Sequence, residues 1–226
     1  GSSLANMTLN NFRNQYADVI ICALTRDQET LIPAGDTTLQ VGDHVHVTGS
    51  RENIASFYEK SGFEMEKIQS LLIIGGGEVT YNLLRFLRKS HLDIKVIELD
   101  RERAEELSQD FPNAIIIHGD GTDQTFLDEE RIENFDAVVS MTGIDEENIL
   151  SSLYALSVGV KKIMTKVSRT DLLTIIGNKD LQTIITPKNV ASNRILRSVR
   201  ALKNSSGSNV EALFRFDDQR VEALQF

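Results

Sequence analysis

The 226-residue sequence contains one cysteine, Cys22, and it has fewer basic than acidic residues, 24 against 33. A single cysteine cannot form an internal disulfide framework, and it fits a reducing compartment such as the cytoplasm. Because proteins that bind nucleic acid usually present a basic face, the net charge of −9 argues against nucleic acid as a partner. No apolar run approaches the roughly 20 residues of a membrane-spanning helix, so we expect no direct membrane insertion.

Motifs of common catalytic sites are missing as well. The sequence has no Gly-x-Ser-x-Gly elbow, no HExxH helix and no Walker loop. None of its four tyrosines has a lysine four residues later, the spacing that a short-chain reductase needs. His44 and His46 lie two residues apart in a strand-like segment, but no third metal ligand accompanies them, so we expect no metal site. These absences argue against an enzyme.

Residues 70–100 carry the most informative pattern. An apolar run, 71–74, enters the turn Gly75-Gly76-Gly77, and an amphipathic stretch then leads to a second apolar run that ends at Glu98. Strand, glycine turn, helix, strand and acid, in that order, are typical of a Rossmann-type unit that binds a dinucleotide. Glu98 follows Gly77 by 21 residues, close to the spacing of about 20 expected for a carboxylate that binds ribose hydroxyls.

Each part of the glycine turn has a predicted task. Gly75 lets the chain turn tightly out of the strand, and Gly77, which has no Cβ, lets a pyrophosphate approach the backbone. The helix that begins near Glu78 directs its first N–H groups and the positive end of its dipole toward that pyrophosphate. Thr80 stands where the third glycine of the motif is usual, so we expect the helix to stand slightly off the strand.

The chain divides into three predicted parts. Residues 1–66 show the short strands and turns of a small α+β domain, with a helix at 52–60. Residues 67–204 alternate strands and helices, which predicts a doubly wound parallel sheet. Residues 205–226 are expected to open a further small domain that ends early. The later strands are expected at 114–118, 137–141, 163–167 and 183–185, and the later helices near Arg101, Asp123, Asp145 and Thr170 and over 188–203, with Asp145 and Thr170 as N-caps.

Several stretches of residues 71–200 resemble the nucleotide-binding half of an RCK (KTN) domain, and in particular the TrkA family of cytosolic regulatory subunits of Trk-type potassium uptake systems. The matching stretches are 72–77, 96–100, 118–123 and 136–149. Residues 18–63 resemble the smaller C-terminal RCK module. The resemblance implies a Rossmann-like doubly wound parallel sheet of the RCK N type, preceded by a small α+β domain of the RCK C type. It also implies a regulator rather than an enzyme.

The same resemblance implies a ligand and the residues around it. NAD(H) is the expected ligand, with ATP or ADP in the same groove as the alternative. Glu98 is expected at the ribose, Asp120 near the adenine, and Thr142 beside the phosphates or the nicotinamide ribose. The full set of residues expected around the nucleotide is Gly75, Gly76, Gly77, Glu78, Val79, Glu98, Asp120, Thr142, Gly143 and Lys166.

Partners follow from the resemblance too. The expected partner is a Trk-type potassium-translocating membrane subunit, which would place the chain in the cytoplasm at the inner face of the membrane. Self-association into a dimer or a tetrameric ring is also expected, with the amphipathic helix at 188–203 as a candidate contact. Two alternatives remain open, namely an NAD(P)-dependent oxidoreductase and an interaction scaffold with a vestigial nucleotide groove.

Overall fold

Two larger sheets, one antiparallel and one parallel, organise the fold. The computed structural model describes residues 3–27, 29–62, 67–169, 171–172, 181, 183–203, 212–216 and 221–225. Contacts divide the chain into two units, the first Gly1–Lys67 with Val199–Phe226 and the second Ile68–Ser198. Among the described helices, none combines the length and the apolarity that crossing a bilayer requires.

The first unit contains a three-stranded antiparallel sheet in the order β2-β1-β3. Its strands are β1 (Ile20–Arg26), β2 (Glu29–Leu31) and β3 (His44–Thr48), and its helices are α1 (Leu9–Gln15) and α2 (Arg51–Ser61). The sequence predicted β1, β3 and α2 but not α1. That seven-residue helix has one buried side chain, Phe12, and so leaves almost no periodic pattern to detect.

The second unit is built on a six-stranded parallel sheet in the order β6-β5-β4-β7-β8-β9. Helices connect the first five of these strands, as the sequence predicted, and a short 3₁₀ helix, Ile132–Asn134, precedes the fourth. The helix predicted near Thr170 falls mostly on residues outside the described ones. The strands are β4 (Ser70–Ile74), β5 (Asp93–Glu98), β6 (Ala114–His118), β7 (Ala137–Ser140), β8 (Lys162–Lys166) and β9 (Thr183–Ile185). The helices are α3 (Glu78–Leu87), α4 (Arg101–Asp110), α5 (Gln124–Glu129), α6 (Asp145–Ser157) and α7 (Pro187–Lys203).

The central strands are continuous apolar runs because both faces of the parallel sheet are covered. Alternate residues of β4 enter two different apolar clusters, with Leu71 and Ile73 in one and Leu72 and Ile74 in the other. The strand order reverses at β4, since β5 and β7 pair with its two edges and continue in opposite directions across the sheet. Ligands of such sheets bind at the carboxyl ends of the strands beside this reversal.

Element ends differ in places from the predictions. β7 and β8 each end one residue earlier than expected. The prediction of Asp145 as an N-cap is wrong, because Ile144 holds the cap position. The Asp145 carboxylate instead accepts hydrogen bonds from the backbone N–H groups of Ser168 and Arg169, at 2.9 and 2.8 Å. The predicted cap at Thr170 falls on a residue outside the described ones.

The predicted amphipathic helix corresponds to α7. Three apolar side chains of its described part are exposed, Val190 at 58%, Ile195 at 63% and Val199 at 47%. After α7, β10 (Ala212–Phe216) and β11 (Val221–Gln225) form an antiparallel pair. That residues 205–226 open a further domain stays a prediction.

Asp136 ties the starts of two central strands together. Its carboxylate accepts hydrogen bonds from the backbone N–H groups of Gln69 and Ser70, at 2.8 and 3.0 Å, and from the Ser70 hydroxyl at 3.1 Å. These bonds favour the ionised form, so they hold the pKa of Asp136 below its usual value. The segments that lead into β4 and β7 therefore share one anionic acceptor.

We expect Asp136→Asn to lower the melting temperature at neutral pH by a few degrees, because an amide accepts these bonds more weakly than a carboxylate. Since folding lowers the pKa of Asp136, its contribution to stability is complete above the unfolded value of about 4 and is lost as the pH falls through the folded value. The calorimetric difference between parent and variant should therefore shrink in acid. Asp93→Asn, which removes a charge from an exposed position on β5, is the control, and a difference that persists unchanged in acid contradicts the assignment.

Candidate nucleotide-binding site

A pocket of about 580 Å³ lies at the carboxyl ends of β4 to β8, beside the point where the strand order reverses. Its walls come from the turns that follow these strands. All ten residues that the sequence predicted around a nucleotide line this one pocket, and they are Gly75, Gly76, Gly77, Glu78, Val79, Glu98, Asp120, Thr142, Gly143 and Lys166. The fold thus brings together residues that are up to 91 positions apart in the chain.

The three glycines of the turn differ in what requires them. Gly75 has a φ of +98°, and a Cβ there would lie 2.8 Å from the backbone nitrogen of Thr142. A Cβ on Gly76 would lie 2.8 Å from a carboxylate oxygen of Glu98. A Cβ on Gly77 would meet no atom within 4 Å. The fold itself therefore requires the first glycine. A side chain at Gly76 would displace Glu98 and Leu107, and Gly77 leaves space in the pocket wall.

Thr80 occupies the position of the missing third glycine without loosening the turn. Its side chain is fully buried, and its hydroxyl donates a hydrogen bond to the carbonyl oxygen of Gly75. The expectation that α3 stands off the strand is therefore not met at this residue. A small hydroxyl side chain fits the contact and adds a bond between the helix and the turn.

Two of the helices that begin at the pocket, α3 and α6, have no side-chain cap. Gly77 caps α3 and Ile144 caps α6, and no side-chain hydrogen bond is made at either cap. In contrast, Thr8, Ser50, Asp100 and Asp123 cap α1, α2, α4 and α5, and each accepts a bond from a first-turn N–H. First-turn N–H groups without a cap are available to an anion, and the helix dipole favours negative charge there.

The carboxylate of Glu98 is fixed at the tip of β5. It accepts a hydrogen bond from the backbone N–H of Gly76 and another from the backbone N–H of Asp100 at 2.8 Å. Each carboxylate oxygen has a second lone pair, so these bonds leave acceptor capacity for ribose hydroxyls. The position of Glu98 is thus set by the glycine turn and by the start of α4.

Asp120 shapes the turn after β6. One of its carboxylate oxygens accepts hydrogen bonds from the hydroxyl and the backbone N–H of Thr122, at 2.7 and 2.9 Å. Both bonds favour the ionised form and lower the pKa of Asp120. Asp120 therefore enters the pocket as an anion whose orientation the turn holds.

On the other side of the pocket, Asn148 links the loop after β7 to the end of β8. This side chain of α6 is fully buried. Its amide oxygen accepts from the N–H of Thr142 at 2.7 Å, and its amide nitrogen donates to the carbonyl of Lys166 at 3.1 Å. The ammonium group of Lys166 donates to the carbonyl of Thr142 at 2.5 Å. Both Thr142 and Lys166, predicted for the ligand, are thus held by bonds within the protein.

Sequence reasoning gave no role to Asn148, although its signal was present. The face of α6 that packs on the sheet carries polar residues at helical spacing where an apolar stripe is usual, and all are buried: Asp145, Asn148, Ser151 and Ser152. Ser151 donates to the carbonyl of Gly121 at 3.0 Å, and Ser152 donates to the hydroxyl of Ser140 at 3.0 Å. Polar residues at the spacing of a buried face indicate hydrogen bonds to neighbouring elements, here to the pocket-lining turns at Thr142 and Gly121 and to β7 at Ser140.

The pocket lining is acidic. It includes Glu78, Glu98, Asp100, Asp120 and Glu147, against two basic residues, Arg103 and Lys166. Arg103 was not predicted. Among the described residues, no group of three or more histidine, cysteine or carboxylate side chains could hold a metal ion. The groups suited to bind phosphate here are therefore backbone N–H groups rather than a cluster of cations.

Comparison with known families decides the membership of the chain. Residues 71–187 match the TrkA-N domain and residues 1–62 match the TrkA-C domain. The chain belongs to the TrkA family. Its relatives include the Trk system potassium uptake protein TrkA homolog 2 of Methanosarcina mazei, 31% identical over 92% of this chain and 45% of that protein. Another is the Trk system potassium uptake protein TrkA of Halomonas elongata, 28% identical over 92% of this chain and 44% of that protein.

The chain spans about half the length of the curated TrkA relatives it matches. Their names are those of potassium uptake proteins and not of enzymes, in agreement with the expected lack of enzymatic activity. Among solved structures, the GsuK RCK domain aligns with a TM-score of 0.60 at 18% identity, over 95% of this chain and 46% of that one. The GsuK channel bound to NAD aligns with a TM-score of 0.62 at 18% identity, over 96% of this chain and 38% of the channel chain. These likenesses confirm the fold that the sequence predicted.

The link made by Asn148 can be tested through stability. We expect Asn148→Leu to lower the free energy of unfolding by about 1–3 kcal/mol, because the N–H of Thr142 and the carbonyl of Lys166 each lose a buried partner. Urea denaturation measures the change. Asn82→Leu, at an exposed position of α3 where the amide donates to the Glu78 carbonyl at 2.8 Å, is the control and should cost no more than about 0.5 kcal/mol. Equal losses in the two variants contradict the role of Asn148.

Proposed function

We propose that this chain is the nucleotide-binding part of a non-enzymatic regulator of potassium uptake, and that NAD(H) occupies the pocket at Gly75–Val79. The observation that carries the proposal is the junction of an uncapped α3 with Gly77, where a Cβ would meet nothing within 4 Å. A pyrophosphate needs such a place, with N–H donors and no side chain in the way. Membership of the TrkA family and the name of the NAD-bound GsuK channel support the choice of ligand.

In this proposal the two ends of the dinucleotide lie on opposite sides of the turn. The adenosine ribose binds Glu98, and the adenine lies toward Asp120. The nicotinamide half lies toward Thr142, Gly143 and Lys166, where α6 presents the second uncapped N-terminus. ADP and ATP share the adenosine diphosphate part of NAD, so they compete for the Glu98 side of the same pocket.

The proposed partner is a Trk-type potassium-translocating membrane subunit, which this chain contacts from the cytoplasm. The names of the TrkA relatives support this choice. We further propose that the chain self-associates through α7, where Val190 and Ile195 are exposed, and that residues 1–66, 67–204 and 205–226 are a small domain, a nucleotide domain and the start of another small domain. Regulation then requires a nucleotide that binds one assembly conformation more tightly than the other.

Titration calorimetry of Gly77→Val tests the ligand site. Valine at this position puts a branched side chain where the pyrophosphate would lie, so NAD affinity should fall about tenfold or more. Valine is also a poor N-cap, and we expect a loss of about 1 kcal/mol in stability, which a thermal melt reports separately.

NADP should bind the parent less tightly than NAD, because Glu98 would face its 2′-phosphate with like charge. If the Gly77→Val variant is folded and binds NAD, ATP and ADP as tightly as the parent, the nucleotide does not bind in this pocket.

The regulatory role is tested by potassium flux. A Trk-type membrane subunit in liposomes should conduct differently with and without this protein, and the difference should depend on whether NAD, NADH, ADP or ATP is present. Light scattering on the same samples should show at least a dimer of this chain. Flux that is the same with and without the protein under every nucleotide rejects the regulatory role, even where calorimetry shows binding.

A further inference from the structure

Arg103 lines the pocket but was not among the predicted residues. It lies on α4, one turn after the Asp100 cap, and its side chain is only 25% exposed. Its Nε donates a hydrogen bond to the carbonyl oxygen of Gly76 at 2.9 Å. An arginine of α4 thus binds the backbone of the glycine turn across 27 positions of sequence.

Gly76 is therefore held at both of its backbone polar groups. Its N–H donates to the carboxylate of Glu98, and its carbonyl accepts from the guanidinium of Arg103. A side chain at Gly76 would collide with Glu98 and with Leu107 of α4. Glu98, Gly76 and Arg103 form one hydrogen-bonded series that connects β5, the glycine turn and α4.

The guanidinium of Arg103 is itself oriented by further groups. One terminal nitrogen lies 3.2 Å from a carboxylate oxygen of Glu78 and the other lies 3.1 Å from one of Glu106. The group also lies over the ring of Tyr81, 5.4 Å from its centroid. Each nitrogen of the guanidinium therefore has an acceptor within the protein, with Nε directed at the turn and the two terminal nitrogens at exposed carboxylates.

We propose that Arg103 is a positioning residue of the nucleotide site, which acts through Gly76 to hold Glu98 where it reads the adenosine ribose. This inference rests on the proposed nucleotide function and adds the residue that sets its ribose specificity. Arg103 does not bind the ligand in this role. The guanidinium of Arg103 holds the carbonyl of Gly76, and this contact fixes the position of the Gly76 backbone. The N–H of Gly76 in turn holds the carboxylate of Glu98.

A competing role for Arg103 is simple attraction of phosphate by its positive charge. The two roles make opposite predictions for NADP, which carries one phosphate more than NAD. If Arg103 acts by charge, its removal weakens the binding of NADP more than the binding of NAD. If it positions Glu98, its removal loosens the carboxylate that binds the 2′-hydroxyl and opposes the 2′-phosphate, so NAD loses more affinity than NADP.

The experiment is titration calorimetry of NAD and NADP with the parent, Arg103→Met and Arg101→Met. Arg101 lies on the same helix, is 77% exposed and pairs with Glu105 at 3.0 Å, so its replacement removes an equal charge nearby. We expect Arg103→Met to weaken NAD binding about tenfold, the effect of losing a charge-assisted hydrogen bond, and to narrow the preference for NAD over NADP. Arg101→Met should change both affinities by less than about twofold.

Thermal melts show whether each variant is folded, and Arg103→Lys, which keeps the charge but not the planar fork, replaces Arg103→Met if that variant does not fold. The role of Arg103 is overturned if its variant prefers NAD over NADP more strongly than the parent does, or by the same ratio of affinities as Arg101→Met. The nucleotide site itself would stand in either case. A parent chain that binds neither dinucleotide rejects the proposed function, and the role of Arg103 fails with it.

Discussion

The site depends on the close contact of two turns and a strand at one residue, Gly75. Its N–H donates to the carbonyl of Ile97 at 2.8 Å, and a Cβ would lie 2.8 Å from the nitrogen of Thr142. The turns after β4 and β7 and the last part of β5 therefore meet at a backbone position with no space for a side chain. Thr80 adds a fourth contact from α3, through its bond to the Gly75 carbonyl. The pocket has its shape because the strands end against one another here.

Charge places a second constraint on what the pocket can bind. Acidic side chains outnumber basic ones in its lining, and Lys166 and Arg103 each donate to a backbone carbonyl, that of Thr142 and that of Gly76. The side-chain field of such a pocket does not attract an anion. Affinity for a phosphate must come from backbone N–H groups at the starts of α3 and α6, whose direction the fold sets. Small changes in the glycine turn consequently change the affinity for a phosphate more than the loss of a distant charge does.

Sequence patterns predicted the parts of the site whose meaning is local. The glycine turn and Glu98 follow from spacing within one strand–helix–strand unit, and buried parallel strands are visible as apolar runs. Arg103 and Asn148 escaped notice because their partners are distant in sequence, 27 positions for Gly76 and 18 for Lys166. The N-cap prediction for Asp145 was wrong for the same reason. In the sequence, an aspartate at the start of a helix gives the same pattern whether its carboxylate bonds to its own first turn or to a distant loop.

The two helices whose uncapped starts line the pocket, α3 and α6, are held to the sheet in different ways. α3 buries Leu84 in an apolar cluster and Thr80 against the glycine turn, where the Thr80 hydroxyl donates to the Gly75 carbonyl. α6 buries Asn148, Ser151 and Ser152, each hydrogen-bonded to a strand or to a loop of the pocket. A shift of α6 relative to those loops would leave buried donors and acceptors unpaired, at roughly 1–3 kcal/mol each. Displacement of the loop after β7 therefore carries α6 with it, whereas α3 is bonded to the glycine turn through Thr80. Any ligand that discriminates between two conformations through Thr142 must act on α6 as well, because the loop and the helix cannot exchange partners independently.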